Sequence, residues 1–341
     1  MNRVFVLLLC FLSASAFADK KATLGSFDGF VERMGAGTAE LGRGNTGSAD
    51  TAAQPGAYWN PAILGFRTYT AYSLHAEKRD LDRAGGSLGV ESRIGSRMGI
   101  GGAVLYRSDL AFDVINDDDE KLGTATPYFM MMYVGLGYRI SRKDAIGLSF
   151  SMSYDNLGIS GYYDDVKVED GYQSPVTFNL GWLREWNENW SSAVVIRNLS
   201  FSKNLSATWT RNTSSDNSVS STEGVRPKVL QIGLGYHSRL LGRPISSWME
   251  ALDYQVADTL LAFDPDLHVW TGRVGMEWEA IPGGKIRIGM DDSNYMFGLG
   301  YLFKIRIGKR WWPFDVSYAL VYEGDAGLWD PLSFGINGRI P

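Results

Sequence analysis

The alternation of side chains along residues 294–306 sets the tightest limit on what this chain can become. Tyr295, Phe297, Leu299, Tyr301, Phe303 and Ile305 fall on one side, while Met296, Gly298, Gly300, Leu302, Lys304 and Arg306 fall on the other. Successive strand residues point to opposite faces. The segment is therefore a strand with one aromatic face and one glycine-rich, charged face. Similar segments of about ten residues recur to the end of the chain, separated by turns. A water-soluble sandwich turns its apolar face to a core and its polar face to solvent. A transmembrane barrel inverts this, with apolar side chains facing lipid and polar ones filling the lumen.

Reading onward from Pro61 predicts strands near 65–76, 83–94, 97–108, 126–140, 143–154, 173–186, 189–198, 226–240, 245–256, 266–279, 284–291, 294–305, 312–323 and 330–340. The total is about fourteen, an even number as bacterial single-chain barrels require. Gly95-Ser96, Ser141-Arg142, Asn187-Glu188, Leu241–Pro244 and Ile281-Pro282-Gly283 make short connections; 109–125, 155–172, 199–225 and 257–265 make long polar ones. Short periplasmic turns alternating with long outer loops are the topology of outer-membrane barrels. The loop 199–225 is poor in apolar residues and reads as mobile. Lipid-facing candidates carry almost no charge. Glu250 is the main exception: either it lies near the periplasmic rim, or the register there slips by one residue, which would flip every side chain in that strand.

The start of the chain supports export. Arg3 precedes the apolar run Val4–Leu12, which is too short to span a bilayer, and Ala16-Phe17-Ala18 supplies a small-x-small cleavage pattern. Residues 1–18 read as a signal peptide removed before Asp19. Cys10 is the single cysteine and lies inside that signal, preceded by Leu9 rather than a small residue, so the mature chain carries neither a lipid anchor nor a disulfide framework. Forty glycines exceed the usual share of about 7 %. Net charge is −5 with both signs interspersed, which excludes a basic footprint for nucleic acid. Beyond the signal no apolar run approaches ~20 residues. For a spanning chain this leaves the closed barrel, in which each backbone group finds a partner on a neighbouring strand. The expected place is the outer membrane of a diderm bacterium, in contact with its lipid; a secreted soluble all-β protein is the competing reading.

Residues 19–64 do not read as barrel strand. Gly35, Gly37, Gly42, Gly44, Gly47 and Gly56 alternate with alanine, serine and threonine, and Pro61 blocks a helix or ladder just before the first strand. A fourteen-strand barrel is wider than side chains alone can fill, so these residues form either a compact plug in the lumen or a periplasmic linker. The barrel proper is 65–341. The stretch Leu41-Gly42-Arg43-Gly44-Asn45-Thr46-Gly47-Ser48-Ala49-Asp50, followed by Tyr58-Trp59-Asn60-Pro61-Ala62, resembles the amino-terminal hatch of the FadL-like outer-membrane proteins. The later hairpins, Ile286–Asp291 through Leu299-Gly300-Tyr301 to Phe334-Gly335-Ile336, are similar to the PorV/PorQ group of that superfamily. The resemblance implies a fourteen-stranded barrel with a hatch in its lumen. It also implies one of two uses: a channel for hydrophobic compounds such as long-chain fatty acids, or a non-transporting scaffold for secretion-system or cell-surface proteins. The chain ends Arg339-Ile340-Pro341, without the terminal aromatic many barrels present to their assembly machinery.

Trp59, Asn60, Pro61 and Ala62 are expected to anchor the hatch, because an asparagine side chain can satisfy backbone groups that proline leaves unpaired. Phe129, Met131 and Tyr133 are expected to face the lumen, either packing on the plug or lining an apolar pocket for a hydrophobic ligand. His75, His237 and His268 lie on different strands and not at ligand spacing, so no metal is expected. Asp117-Asp118-Asp119-Glu120, Asp164-Asp165 and Asp291-Asp292 read as solvated loop and hairpin acids. No nucleophile motif points to an enzyme, and no cofactor is implied.

Overall fold

The computed structural model describes residues 35–79, 83–115, 121–156, 161–163, 166–173, 176–201, 207–215, 218–255, 268–292, 294–324 and 327–340. The signal peptide and the acidic pairs at 117–120 and 164–165 lie outside these residues. Among the described residues fourteen antiparallel strands close into one barrel. They are β1 (Thr70–Lys78), β2 (Ala84–Ile94), β3 (Met98–Ser108), β4 (Tyr128–Arg139), β5 (Asp144–Asn156), β6 (Thr177–Glu185) and β7 (Trp190–Leu199). The second half comprises β8 (Lys228–Leu240), β9 (Arg243–Gln255), β10 (His268–Ile281), β11 (Gly284–Asp291), β12 (Asn294–Ile307), β13 (Arg310–Glu323) and β14 (Leu328–Ile340). Each strand pairs with its neighbours in sequence, and β14 returns to β1 with Leu74 opposite Ile336. No edge is left open, as a bilayer demands.

Side-chain direction follows the alternation. Leu74, Val134, Ile146, Leu180, Ile232, Leu299 and Phe334 are exposed on the outer surface, while Ser149, Ser151, Thr177, Asn179 and Gln231 are buried within. An apolar exterior around a polar interior is the arrangement of a lipid-facing barrel. No helix among the described residues is long and apolar enough to cross a membrane; the crossing is made by strands.

Two expectations need correction. The first strand begins at Thr70 rather than 65, because Pro61–Phe66 forms a 3-10 helix whose start is fixed by proline at its first turn and by the Asn60 side chain, which accepts from Ala62 N at 3.0 Å. Glu250 is not on the lipid side: it is 1 % exposed and faces inward opposite Gly233 and Arg273. The long connections also hold order of their own. Residues 112–115 pair with 121–125, and 207–215 with 218–226, the latter hairpin adding to a strand at 166–173. The segment expected to be a mobile loop at 199–225 thus contains paired backbone, with β-branched Thr208, Thr210, Val219 and Thr222 suited to it.

Residues 35–69 lie against the inner wall. Helix α1 (Thr38–Leu41) packs on β12, β13 and β14; α2 (Gly56–Trp59) and the 3-10 helix pack on β3, β4 and β5. This segment and the wall around it form the largest buried cluster, with Trp59, Ile63, Leu64, Leu105, Met131 and Leu183 essentially inaccessible.

Candidate site between the amino-terminal segment and the wall

The inward faces carry glycine where the segment's backbone comes closest. A Cβ at Gly99, Gly137 or Gly147 would collide with the backbone of Pro61–Gly65, and one at Gly275 or Gly289 would collide with that of Arg43 and Gly44. Gly44 itself has φ +74°, a region that favours glycine, and its own missing Cβ leaves room for the Val274 and Met290 backbones. Two seats result, one on β3–β6 and one on β8–β12.

At the first seat Asn60 is fully buried. Its Nδ2 donates to Ser48 O at 2.9 Å and to Trp182 O at 3.2 Å, while Oδ1 serves the 3-10 helix. The Arg197 guanidinium donates to the carbonyls of Tyr58 and Trp59, the latter at 2.6 Å, and to Gln231. Glu91 accepts from Gly56 N and from Arg67, which also donates to Thr51 O at 2.7 Å. Trp59 lies beneath Gly47, and its indole donates to Ala36 O at 3.0 Å.

The second seat centres on Glu250. One carboxylate oxygen accepts from Gly47 N (2.8 Å), Ser48 N (2.6 Å) and Ser48 Oγ (2.7 Å); the other accepts from Gln231 Nε2 at 2.6 Å. Asn45 Nδ2 donates to Asp291 at 2.8 Å, and Asp291 also pairs with Arg273. Within the segment Arg43 pairs with Asp50 at 2.7 Å and lies over the Trp248 ring. Burial alone would raise the Asp50 carboxyl, but the Arg43 guanidinium and the Ala52 amide together hold that group below its ordinary range.

Glu40 behaves oppositely. Burial pushes its carboxyl up to about 7 against the pull of Arg43 and the Gln54 amide. The folded chain therefore holds this proton more tightly than an unfolded chain with the ordinary value of 4.5. That contribution to stability is complete below about pH 4.5 and is lost as pH rises through about 7. Protection of the Gln54 amide, which donates to Glu40 at 3.1 Å, should fall across this window. Glu40→Gln should flatten the fall; an unchanged pH profile in that variant would assign it to another group.

The inward apolar residues gather around the same segment. Met131 and Tyr133 are buried, Tyr133 meets the Tyr58 ring edge-on at 5.4 Å, and half-buried Phe129 packs against the cluster. On the opposite side of the segment, toward the short turns, lies a cavity of about 310 Å³ with a different lining. Glu40, Arg43, Glu277, Lys285, Arg287 and Asp315 are among its walls, with Lys285 bridging Glu277 and Asp315 at 3.1 and 3.2 Å. The segment thus meets an aromatic cluster on one side and a charged cavity on the other, while Glu77 pairs with Arg107 and Arg79 with Glu323 at the end of the lumen away from the short turns. The histidines stay apart, His75 against Ser333, His237 against Ser246 and His268 against Asp253, and no group of three potential metal ligands occurs among the described residues.

No family model matches the sequence, and no curated protein does. Solved structures do match. The toluene transporter TbuX of Ralstonia pickettii aligns over 89 % of this chain and 98 % of its own, with a TM-score of 0.56 and 12 % identity. The fold is that of the FadL-type barrels. The monoaromatic hydrocarbon channel CymD covers 92 % of this chain and 98 % of its own at TM-score 0.56 and 12 % identity. A Pseudomonas aeruginosa FadL homologue covers 89 % and 98 % at TM-score 0.52 and 10 % identity. At these identities the likeness is one of fold. Sequence reading placed Trp59–Ala62 and the Phe129, Met131, Tyr133 face in this FadL-type frame but did not find Glu91, Arg197 or Asp291 as partners of the segment. Their signal was limited to charge on an inward face.

Proposed function

We propose that this chain is an outer-membrane channel for hydrophobic small molecules, with the amino-terminal segment as its hatch. The observation carrying this reading is the apolar cluster between hatch and wall, in which Tyr58, Met131 and Tyr133 are buried together. An apolar solute that takes the place of the hatch against this cluster buries area there, at about 25 cal/mol per Å². The FadL-type fold adds support, since solved structures that share it are named as toluene and monoaromatic hydrocarbon channels. The ligand class is therefore apolar organic molecules, with monoaromatics and long-chain fatty acids as the two to compare. The signal peptide would be cleaved after Ala18, and Trp59, Asn60, Pro61 and Ala62 would hold the hatch at the approach to β1.

Uptake of radiolabelled toluene and of a labelled long-chain fatty acid into vesicles carrying the purified protein tests the reading. Uptake above that of protein-free vesicles is expected for at least one of the two. Asn60→Ala combined with Pro61→Ala removes three side-chain hydrogen bonds, each worth about 1 kcal/mol, and should raise small-solute leakage through the same vesicles. No uptake of either ligand, with a secreted or periplasmic protein co-purifying in stoichiometric amount, would instead establish a PorV/PorQ-like scaffold.

A further inference from the structure

The β12–β13 hairpin runs past both of its neighbours at the end of the short turns. β11 pairs with β12 as far as Gly284 opposite Tyr301, with one further bond from Leu302 N to Gly283 O at 2.7 Å. β14 reaches β13 only as far as Phe314 opposite Gly338. Among the described pairings Phe303–Ile307 and Arg310–Pro313 therefore have only each other, and each leaves one backbone edge open. Unpaired backbone has no partner in hydrocarbon, so this end of the hairpin stands in water beyond the bilayer core.

The two edges differ. β13 carries Pro313, which has no N–H. A sheet tolerates proline where its nitrogen faces an open edge, so the β13 edge lacks a donor there. β12 carries no proline and offers residues 303–307 as continuous strand.

Register sorts the side chains. Phe303, Ile305 and Ile307 lie opposite Phe314, Trp312 and Arg310, and continue the outer face of Tyr301. Lys304 and Arg306 lie opposite Pro313 and Trp311, and continue the inner face of Leu302, which with Pro313 borders the charged cavity. The two cations of β12 thus point away from the lipid belt. Lys304, Arg306, Lys309 and Arg310 are all exposed, and no acidic residue stands between Leu302 and Pro313. A strand laid against the β12 edge would meet apolar side chains on one face and cations on the other. A second copy of the same edge would set cation against cation, which is unfavourable across a strand pair, whereas an acidic strand brings the opposite charge.

We infer that the open edge of β12 at Phe303–Ile307 is a docking site, by strand addition, for an extended segment of a partner protein in which acidic and apolar residues alternate. The backbone of that segment completes the β12 ladder. Its acidic residues lie beside Lys304 and Arg306, and its apolar residues beside Phe303, Ile305 and Ile307. The edge is outside the lumen, so docking here and hydrophobic uptake stand or fall independently.

Fluorescence anisotropy of the full chain in phosphatidylcholine nanodiscs tests this, with a labelled heptapeptide alternating valine and glutamate as the probe. It should bind about tenfold or more tightly than its valine–lysine counterpart, and raising the salt should erode the difference. In an added strand the amides of one residue type face β12 and those of the other face away. N-methylation of all the valines and N-methylation of all the glutamates should therefore differ, one of them weakening binding about tenfold or more. Lys304→Glu with Arg306→Glu should turn the preference toward the lysine peptide. Should that variant fail to fold, the two methylated peptides compared on the unaltered protein still decide. Equal binding of the glutamate and lysine peptides, equal effects of the two methylations, or an unchanged preference in the doubly substituted protein overturns the inference. So does a dimer of the chain that the peptide does not displace, or retention of phosphatidylglycerol by a chain that binds neither peptide.

Discussion

Replacing Glu250 with alanine should release the glycine loop from the wall and raise amide exchange at Gly47 and Ser48 by roughly a hundredfold. The carboxylate takes three bonds from that loop and one from Gln231. At 1 % exposure no water replaces it. Hydrogen bonds to a charged group are worth about 1.5–3 kcal/mol each, and orphaned donors add a desolvation cost. A net loss of about 3 kcal/mol corresponds to about two decades in an opening equilibrium. Glu250→Gln keeps the shape and one acceptor oxygen, and should lie between the two. If exchange at Gly47 and Ser48 were unaltered in the alanine variant, the second seat would not hold the segment. Vesicle conductance measured alongside would show whether loosening the loop opens a path.

Gly275→Val should separate the segment from the barrel more completely. The position is an ordinary strand site whose outward neighbours are unaffected, and valine suits a strand. Its side chain would occupy the space of the Arg43 carbonyl and the Thr46 hydroxyl. Since backbone cannot yield there, residues 42–48 must leave the wall. The expected result is a barrel that still shows its heat-dependent shift on a denaturing gel while protection across 42–48 collapses and small-solute leakage rises about tenfold or more, the scale set by losing over 1.4 kcal/mol. Gly102→Ala is the control, because a Cβ there meets only the Tyr133 carbonyl at an ordinary 3.4 Å. A barrel that fails to form in the valine variant and forms in the alanine one would make the glycine a requirement of the wall itself.

The strands were legible where one face is strongly apolar. Along Tyr295–Tyr301 the period of two is unambiguous, and the structure puts those residues outside. Along Ile245–Tyr254 it is not, since Trp248, Leu252 and Tyr254 point inward while Met249 and Ala251 point outward. With apolar residues on both faces the pattern cannot set the phase, and of the two explanations open for Glu250 the structure shows the register slipped by one residue. The Leu-Gly-x-Gly-Asn and Trp-Asn-Pro-Ala stretches were visible as a segment that is not strand. What each touches was not: Asn45 meets Asp291 and Tyr58 meets Arg197 only because the barrel closes around them. Contacts fixed by closure leave no local mark in the sequence.

Pairing of β1 with β14 joins positions near opposite ends of the described chain. Such a contact has nearly the largest loop to close, so it is among the slowest to form and the most exposed to error beforehand. Residues 35–69 are tethered to β1 and touch walls on both sides of that seam. Once the seam has zipped, a folded knot of backbone has no side entrance. Threading it afterwards would mean passing Trp59 and the 3-10 helix down a tube already lined with side chains. The order of events is thereby constrained. The 3-10 turn can settle on β3–β6 early, because those strands follow it closely in the chain, whereas the glycine loop must wait for β9–β12. In that sequence the segment is a former around which the last strands are wrapped, and its glycines set how tightly the tube can be drawn.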